Sequence, residues 1–286
     1  MEKFFDKEYT VKTDSPPEVP TLEITAKIGC RVNCKYCPQN LLIKRYSKIS
    51  EEKELSLENF KKILNKLPQD VIICFAGFSE PFLSDFAVDM INYANDSGHE
   101  VSLFTTLVGL TLEKFEKIRH VHFRKVVIHL PDENNFANIP LTEEYLELFK
   151  IVIKAKKFDG SNFVDKMTCQ TRPNKNIVEL VQEKFHISWN MTNRAGNLKY
   201  SELANVSIRS GKLKCRLSNY NHNVLLPNGD VVLCSMDFGL KYRLGNLLSD
   251  DYASLMDSPA MKQIKFAAES STIDSLCRHC TESAPV

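Results

Sequence analysis

Apolar residues recur along this chain in two alternating rhythms. Leu57, Phe60, Ile63, Leu64 and Leu67 fall on one face of a 3.6-residue period, which predicts a helix over 57–67. The run Val71-Ile72-Ile73-Cys74-Phe75 that follows is a short continuous apolar stretch, the mark of a strand buried on both faces. The same exchange repeats downstream. Strands are expected at 22–25, 71–75, 100–106, 125–129, 167–170 and 187–191, and helices at 57–67, 86–94, 112–118, 143–157 and 177–184. Strands alternating with helices imply a parallel sheet joined by right-handed crossovers. Chemistry in such barrel-like α/β folds sits at the C-terminal strand ends. Thr105, Thr106, His129, Gln170, Asn190, Asn193 and Arg194 all fall near them.

The pattern changes after residue 212. A hairpin with an Asn228-Gly229 turn is expected over 223–234, then a helix over 251–266. The first 20 residues hold Pro16, Pro17 and Pro20 and read as an extended arm. Three segments result: an arm at 1–20, an α/β core at 21–212, and a small C-terminal unit at 213–286.

The chain has 286 residues, 43% hydrophobic and 26% charged, the balance of a folded globular protein. Its 37 basic and 36 acidic side chains leave a net charge of +1, so no basic field points to nucleic acid. No apolar run approaches the ~18 residues that cross a membrane. The charged N-terminus lacks a secretory core, so a cytoplasmic location is expected. Against that background the nine cysteines stand out, because disulfides are rare in a reducing compartment.

Their spacing carries the chemistry. Cys30, Cys34 and Cys37 form C-x3-C-x2-C, flanked by Lys, Arg and Asn that a core strand would not tolerate. Three local thiolates suit an iron–sulfur cluster with one open iron, whereas a structural zinc wants four ligands, usually in two pairs. Cys74 sits in an apolar strand and reads as a packed thiol. Cys215, Cys234, Cys277 and Cys280 make a second set, spaced C-x13-G-x4-C before a terminal C-x2-C. Four thiolates can ligate one cluster fully, and they are equally a legitimate structural zinc set.

Leu22-Glu23-Ile24-Thr25 followed by Cys30, Cys34 and Cys37, with Tyr36 before the third cysteine, resembles the signature loop of the radical S-adenosylmethionine (radical SAM) enzymes. Gly77-Phe78-Ser79-Glu80-Pro81-Phe82-Leu83 resembles that family's G-x-x-E-P-x-L motif, with Phe78 and Ser79 where a second glycine is common. The resemblance implies a (β/α)6 partial TIM barrel. It implies a [4Fe–4S] cluster on Cys30, Cys34 and Cys37 whose open iron chelates S-adenosylmethionine. Tyr36 would lie near the adenine, Gly77, Ser79 and Glu80 near the methionine ammonium, and Thr105 and Thr106 near the ribose. Asn193-Arg194-Ala195-Gly196-Asn197-Leu198 resembles the stretch that closes the core in relatives with an auxiliary cluster. There Arg194 would contact the cofactor carboxylate or a polar substrate, or brace the loop.

The C-terminal cysteines resemble a SPASM-type auxiliary domain in its shortened, twitch form, which implies a second [4Fe–4S] cluster on Cys215, Cys234, Cys277 and Cys280. The implied chemistry is reductive cleavage of S-adenosylmethionine to a 5′-deoxyadenosyl radical and removal of a hydrogen atom from the substrate. A flavodoxin or ferredoxin-type protein would supply the electron. The cysteine layout is similar to that of aminocyclitol dehydrogenases, so two-electron oxidation of a sugar or cyclitol alcohol is the expected outcome. Epimerisation is the alternative, with Cys169 as the spare thiol that returns a hydrogen atom, although Cys169 also has an ordinary packing explanation. Only ~20 residues precede the first strand, too few for a peptide leader-binding domain. That favours a small molecule over a ribosomal peptide, with a non-enzymatic scaffold as the remote alternative.

Overall fold

The computed structural model describes residues 19–181, 185, 187–189, 191–198, 208–218 and 220–286. Six strands, β1 (Thr21–Ile24), β2 (Ile72–Phe75), β3 (Val101–Thr105), β4 (Phe123–His129), β5 (Lys166–Cys169) and β6 (Ile187–Trp189), lie side by side in sequence order. All five pairings between them are parallel. Helices α1 (Gln39–Tyr46), α2 (Leu57–Leu64), α3 (Ala87–Asp96), α4 (Leu112–Ile118), α5 (Glu143–Lys154) and α6 (Lys175–Val181) occupy the crossovers. The parallel sheet expected from the alternation is present, in the six units of the partial barrel that the resemblance implied. Arg194 and Asn193 are described, while Asn190 lies outside the described residues, as do 1–18 of the arm.

Local sequence accounts for the helix starts. The hydroxyls of Ser56, Thr111 and Thr142 accept from the backbone N–H groups of Asn59, Lys114 and Tyr145. Each such cap contributes about 1 kcal/mol. The outer face of the sheet packs on aromatic rings: Phe163 meets Phe115 and Phe123 edge-on at 5.2 and 5.6 Å.

The hairpin strands β8 (His222–Leu225) and β9 (Asp230–Val232) do not stand apart from the barrel. β8 pairs in parallel with β1, Glu23 opposite Val224, so the sheet continues through β8, β9 and β10 (Arg243–Asn246) to nine strands. A separate two-stranded sheet joins β7 (Leu213–Cys215) to β11 (Ser283–Pro285).

Three local expectations change. The helix expected over 251–266 is two, α7 (Tyr252–Met256) and α8 (Pro259–Glu269), because Pro259 lacks the N–H to continue the first and starts the second. Lys44-Arg45 and Glu52-Lys53-Glu54 read from the sequence as a solvated loop and a helix start, but Lys44 and Arg45 form the last turn of α1. Glu54 is not merely solvated: it pairs with Lys27 at 2.9 Å and accepts from Ser84 Oγ at 2.8 Å. No helix among the described residues is long and apolar enough to cross a membrane.

Candidate active site between two cysteine sets

The loop after β1 carries the first cysteine set. Cys34 donates to the Ala137 carbonyl at 3.0 Å, and Cys37 accepts from Gln39 Nε2 at 3.2 Å. Gln39 Nε2 also reaches the Phe78 carbonyl at 2.6 Å, tying this loop to the one after β2. The three thiols feel one another: Cys34 is pushed up to about 12 by burial first, then by Cys37 and Cys30.

Gly77 opens the loop after β2 with φ +69°, the left-handed region that favours glycine. A Cβ there would fall within the radius of Thr25 Oγ1. That hydroxyl accepts from Phe78 N at 3.1 Å, so the two loops are locked at contact distance. Glu80 caps the 3-10 turn Pro81–Leu83 and is 5% exposed. Its Oε1 accepts from Thr105 Oγ1 at 2.7 Å and Phe82 N at 3.3 Å. Its Oε2 accepts from the backbone N and Oγ1 of Thr106, both at 2.6 Å. Thr105 and Thr106, expected at a ribose, therefore hold Glu80. Burial pushes the Glu80 carboxyl up, and no cation pairs with it among the described residues. Ser79 Oγ, one residue earlier in the loop, is buried and has no partner among the described residues.

Tyr36 is hydrogen-bonded across to β4, its Oη 2.7 Å from His129 Nε2, and His129 Nδ1 is 3.2 Å from Thr168 Oγ1. Arg194 reaches back to the Tyr36 carbonyl at 3.5 Å and lies over the Phe238 ring at 5.8 Å. Arg194 and Ala195 both hold positive φ, +48° and +52°. Asn193 stabilises that turn: its Oδ1 accepts from Ala195 N and Thr281 N, and its Nδ2 donates to the His279 carbonyl. The core's closing loop is thereby fastened to the C-terminal cysteine loop. Cys169 is 2% exposed and its thiol points to the Leu130 carbonyl at 3.4 Å.

The second cysteine set is carried by the small sheet and its neighbours. Cys215 ends β7 opposite Ser283 of β11, Cys234 follows β9, Cys277 lies in the turn Leu276–His279 and Cys280 caps its end. Cys277 is raised to about 12 by burial, then by Cys215 and Cys280. Between the last two cysteines Arg278, 3% exposed, donates to the carbonyls of Ile273, Arg209, Gly211, Ala267 and Ser270. An arginine inside a C-x2-C gives no sequence sign of this bracing role.

One cavity of about 880 Å³ is lined by both cysteine sets, with Glu80, Tyr36, His129, Arg194 and Cys169 on its walls. Two further wall residues, to which the motifs assign no role, are Glu23 from β1 and Phe104 from β3. No three His, Cys, Asp or Glu among the described residues converge on a single metal ion. A zinc at Zn–S ~2.3 Å would need its sulfurs drawn tightly together, whereas a cluster takes its ligands at wider corners. The donor sets are all thiol, mutually close and partly open to the cavity, which fits iron–sulfur. The uncompensated Glu80 and the unpartnered Ser79 hydroxyl fit a polar, cationic ligand above the first set.

The family model "Radical SAM superfamily" matches residues 26–183, more than half the chain. The chain belongs to the radical SAM superfamily. A second family model, SPASM, an iron–sulfur cluster-binding domain, matches residues 215–281. This radical SAM protein thus uses S-adenosylmethionine and carries iron–sulfur clusters in both segments, as the motifs implied. Among solved structures it is similar to BtrN, a 2-deoxy-scyllo-inosamine dehydrogenase, in complex with AdoMet and 2-DOIA. There the TM-score is 0.61 at 14% identity, covering 93% of this chain and 94% of that one. Streptococcus suis SuiB bound to precursor peptide SuiA matches with TM-score 0.55 at 14% identity over 92% of this chain and 70% of that one. Native anSMEcpe with bound AdoMet matches with TM-score 0.51 at 15% identity over 91% and 86%. At these identities the likeness is one of fold. No curated protein sequence matches this one.

Proposed function

We propose that this radical SAM enzyme oxidises an alcohol of a small polyhydroxylated ring, a sugar or cyclitol, by two electrons. The observation that carries the reading is the single cavity shared by both cysteine sets, which gives a substrate-sized space between a site of hydrogen removal and an electron acceptor. Its walls mix hydroxyls and ionisable groups (Ser102, Thr168, Ser188, Glu23, His129) with the 41% exposed ring of Phe104, a surface suited to a polar ring with one apolar face. The extent of the likeness to BtrN, whose complex holds 2-DOIA, supports the same substrate class.

In this reading Cys30, Cys34 and Cys37 hold the radical SAM cluster. Glu80, oriented by Thr105 and Thr106, takes the cofactor's ammonium, with Ser79 Oγ and the close backbone at Gly77 beside it. Tyr36, fixed by His129, shapes the adenine side. Cys215, Cys234, Cys277 and Cys280 hold the auxiliary cluster. Bound at these residues, cluster and cofactor supply a strong hydrogen-atom acceptor, the 5′-deoxyadenosyl radical. The protein's part is to orient the carbinol carbon, exclude water, and receive the proton and electron left behind. Arg194 bridges the two ends, its charge felt by Cys37 and by Glu282.

Anaerobically reconstituted enzyme assayed on a panel of aminocyclitols and sugar nucleotides tests the reading. A ketone formed with one 5′-deoxyadenosine per turnover supports it. Modification of a peptide and none of the panel would replace it.

A further inference from the structure

Strand alternation sends every second residue of β1 into the cavity. Leu22 and Ile24 are 0 and 1% exposed on the helix side, while Thr21 and Glu23 face inward. A carboxylate midway along a barrel strand is expensive to desolvate, so an apolar or hydroxyl residue is the ordinary choice there. Among the described residues no Lys or Arg stands within ion-pair distance of Glu23. Its bonds are a long one from Ser235 Oγ at 3.4 Å and one from the Gly77 backbone, with Arg194 acting at longer range. Those two donors belong to the two ends of the site: Gly77 opens the loop that carries Glu80, and Ser235 follows Cys234.

Three other ionisable groups of the cavity are already committed, and His222, whose Nε2 has no partner among the described residues, sits opposite Thr21 rather than Glu23. Glu80 accepts four hydrogen bonds. His129 has both ring nitrogens engaged. Glu282 lies in the field of Arg216, Arg194 and Arg209. Glu23 alone among these keeps free acceptor capacity toward the space between the cysteine sets.

We infer that Glu23 is the catalytic proton acceptor of the oxidation. The inference rests on the oxidation reading above. The substrate's C–H bond breaks with its hydrogen atom going to the cofactor-derived radical. The O–H bond breaks with its proton going to a Glu23 oxygen, and one electron goes to the auxiliary iron–sulfur cluster as the C=O bond forms. The substrate is oxidised by two electrons, the radical gains a hydrogen atom, the cluster is reduced by one electron, and Glu23 ends protonated. Burial, the largest influence, raises the Glu23 carboxyl to about 7, near the ideal for a base working at neutral pH. The titratable groups around it are Cys74, opposite it on β2, Arg194 above, and His222 and Lys125 lower on the same wall.

Two measurements on the reconstituted holoenzyme test this. The first needs no substrate: difference infrared spectra from about pH 5 to about 9 should show a buried carboxylic C=O band that vanishes around neutrality. That band should be missing in Glu23→Gln. A wild-type band unchanged by Glu23→Gln, or absent at the acid end, overturns the inference. The second uses 2-deoxy-scyllo-inosamine deuterated at the carbinol carbon. Ketone formed per deuterated 5′-deoxyadenosine should fall about 100-fold or more in Glu23→Gln and recover in part in Glu23→Asp. An undiminished ratio with weaker substrate binding would make Glu23 a binding residue and overturn the inference alone. Wild-type enzyme yielding an isomer in place of a ketone overturns the oxidation reading and the inference together.

Discussion

The Tyr36 hydroxyl meets His129 Nε2 at 2.7 Å, with the two rings edge-on at 73°. This bond ties the cysteine loop after β1 to the end of β4, and Thr168 extends it to β5. Burial, with the Arg194 charge second, lowers His129 from 6.5 to about 4, so the folded protein keeps it neutral. As pH falls from about 6.5 toward 4 the unfolded chain takes a proton that the folded chain refuses. The stability held above that window is therefore lost on descending through it. In urea unfolding between about pH 7 and 5.5, wild type should weaken more steeply than His129→Gln. Tyr36→Phe, which strands a buried ring nitrogen, should cost about 1–3 kcal/mol at pH 7 and leave iron content unchanged. Equal slopes in wild type and His129→Gln would mean that His129 titrates normally.

Replacing Cys30, Cys34 and Cys37 together removes one thiol set and leaves the other. Reconstituted wild type should bind about eight irons as two [4Fe–4S] clusters, and the triple variant about four, with no S-adenosylmethionine cleavage. Wild-type protein holding zinc with four or fewer irons would contradict two clusters.

Glu80→Gln keeps the shape that Thr105 and Thr106 grip but removes the charge. If Glu80 takes the cofactor ammonium, losing a charge-assisted hydrogen bond worth about 1.5–3 kcal/mol lowers S-adenosylmethionine affinity tenfold or more. Iron content should not change. Calorimetric titration with the intact cofactor reads this directly, and unchanged affinity would leave Glu80 a loop cap only.

Gly77→Ala meets two obstacles at once, a φ of +69° and the Thr25 hydroxyl. The backbone strain alone is worth about 1–3 kcal/mol. Moving the loop to relieve it would displace Ser79 and Glu80. Thermal unfolding should shift down and cofactor affinity should fall together. A variant that loses neither would show that the two loops can separate without cost.

The barrel was legible because its strands and helices have opposed periods, and residues 71–75 could bury on both faces only in a parallel sheet. The cysteine sets were legible because thiols surrounded by Lys, Arg and Asn have no packing reason to be there. Glu23 was quoted only within a motif, since one carboxylate in a four-residue strand carries no sign of which face it takes until β1 finds β2 and β8 as neighbours. The union of the hairpin with the barrel sheet was hidden for the same reason: β1 and β8 are about 200 residues apart, and nothing local records a pairing at that distance. Arg278 was missed because its partners are backbone carbonyls from two stretches, 209–211 and 267–273.

Oxidation and epimerisation divide on what completes the reaction after the hydrogen atom is taken. An epimerase needs a thiol that returns hydrogen to the opposite face. Cys169 borders the cavity, but its S–H is directed at the Leu130 carbonyl, and burial raises the thiol to about 12. An oxidase needs an electron acceptor, and with Cys215, Cys234, Cys277 and Cys280 all as its ligands an auxiliary cluster would have no vacant iron for substrate. Replacing Cys277 and Cys280 should then stop ketone formation while S-adenosylmethionine cleavage at the first cluster continues. Cys169→Ala should lower stability by about 1 kcal/mol or less and leave product per 5′-deoxyadenosine unchanged. The opposite pair of results, with a product isomeric to substrate that carries one deuterium when formed in deuterium oxide, would make Cys169 the hydrogen donor. The proposed oxidation is preferred over epimerisation because the Cys169 S–H is directed at the Leu130 carbonyl rather than into the cavity.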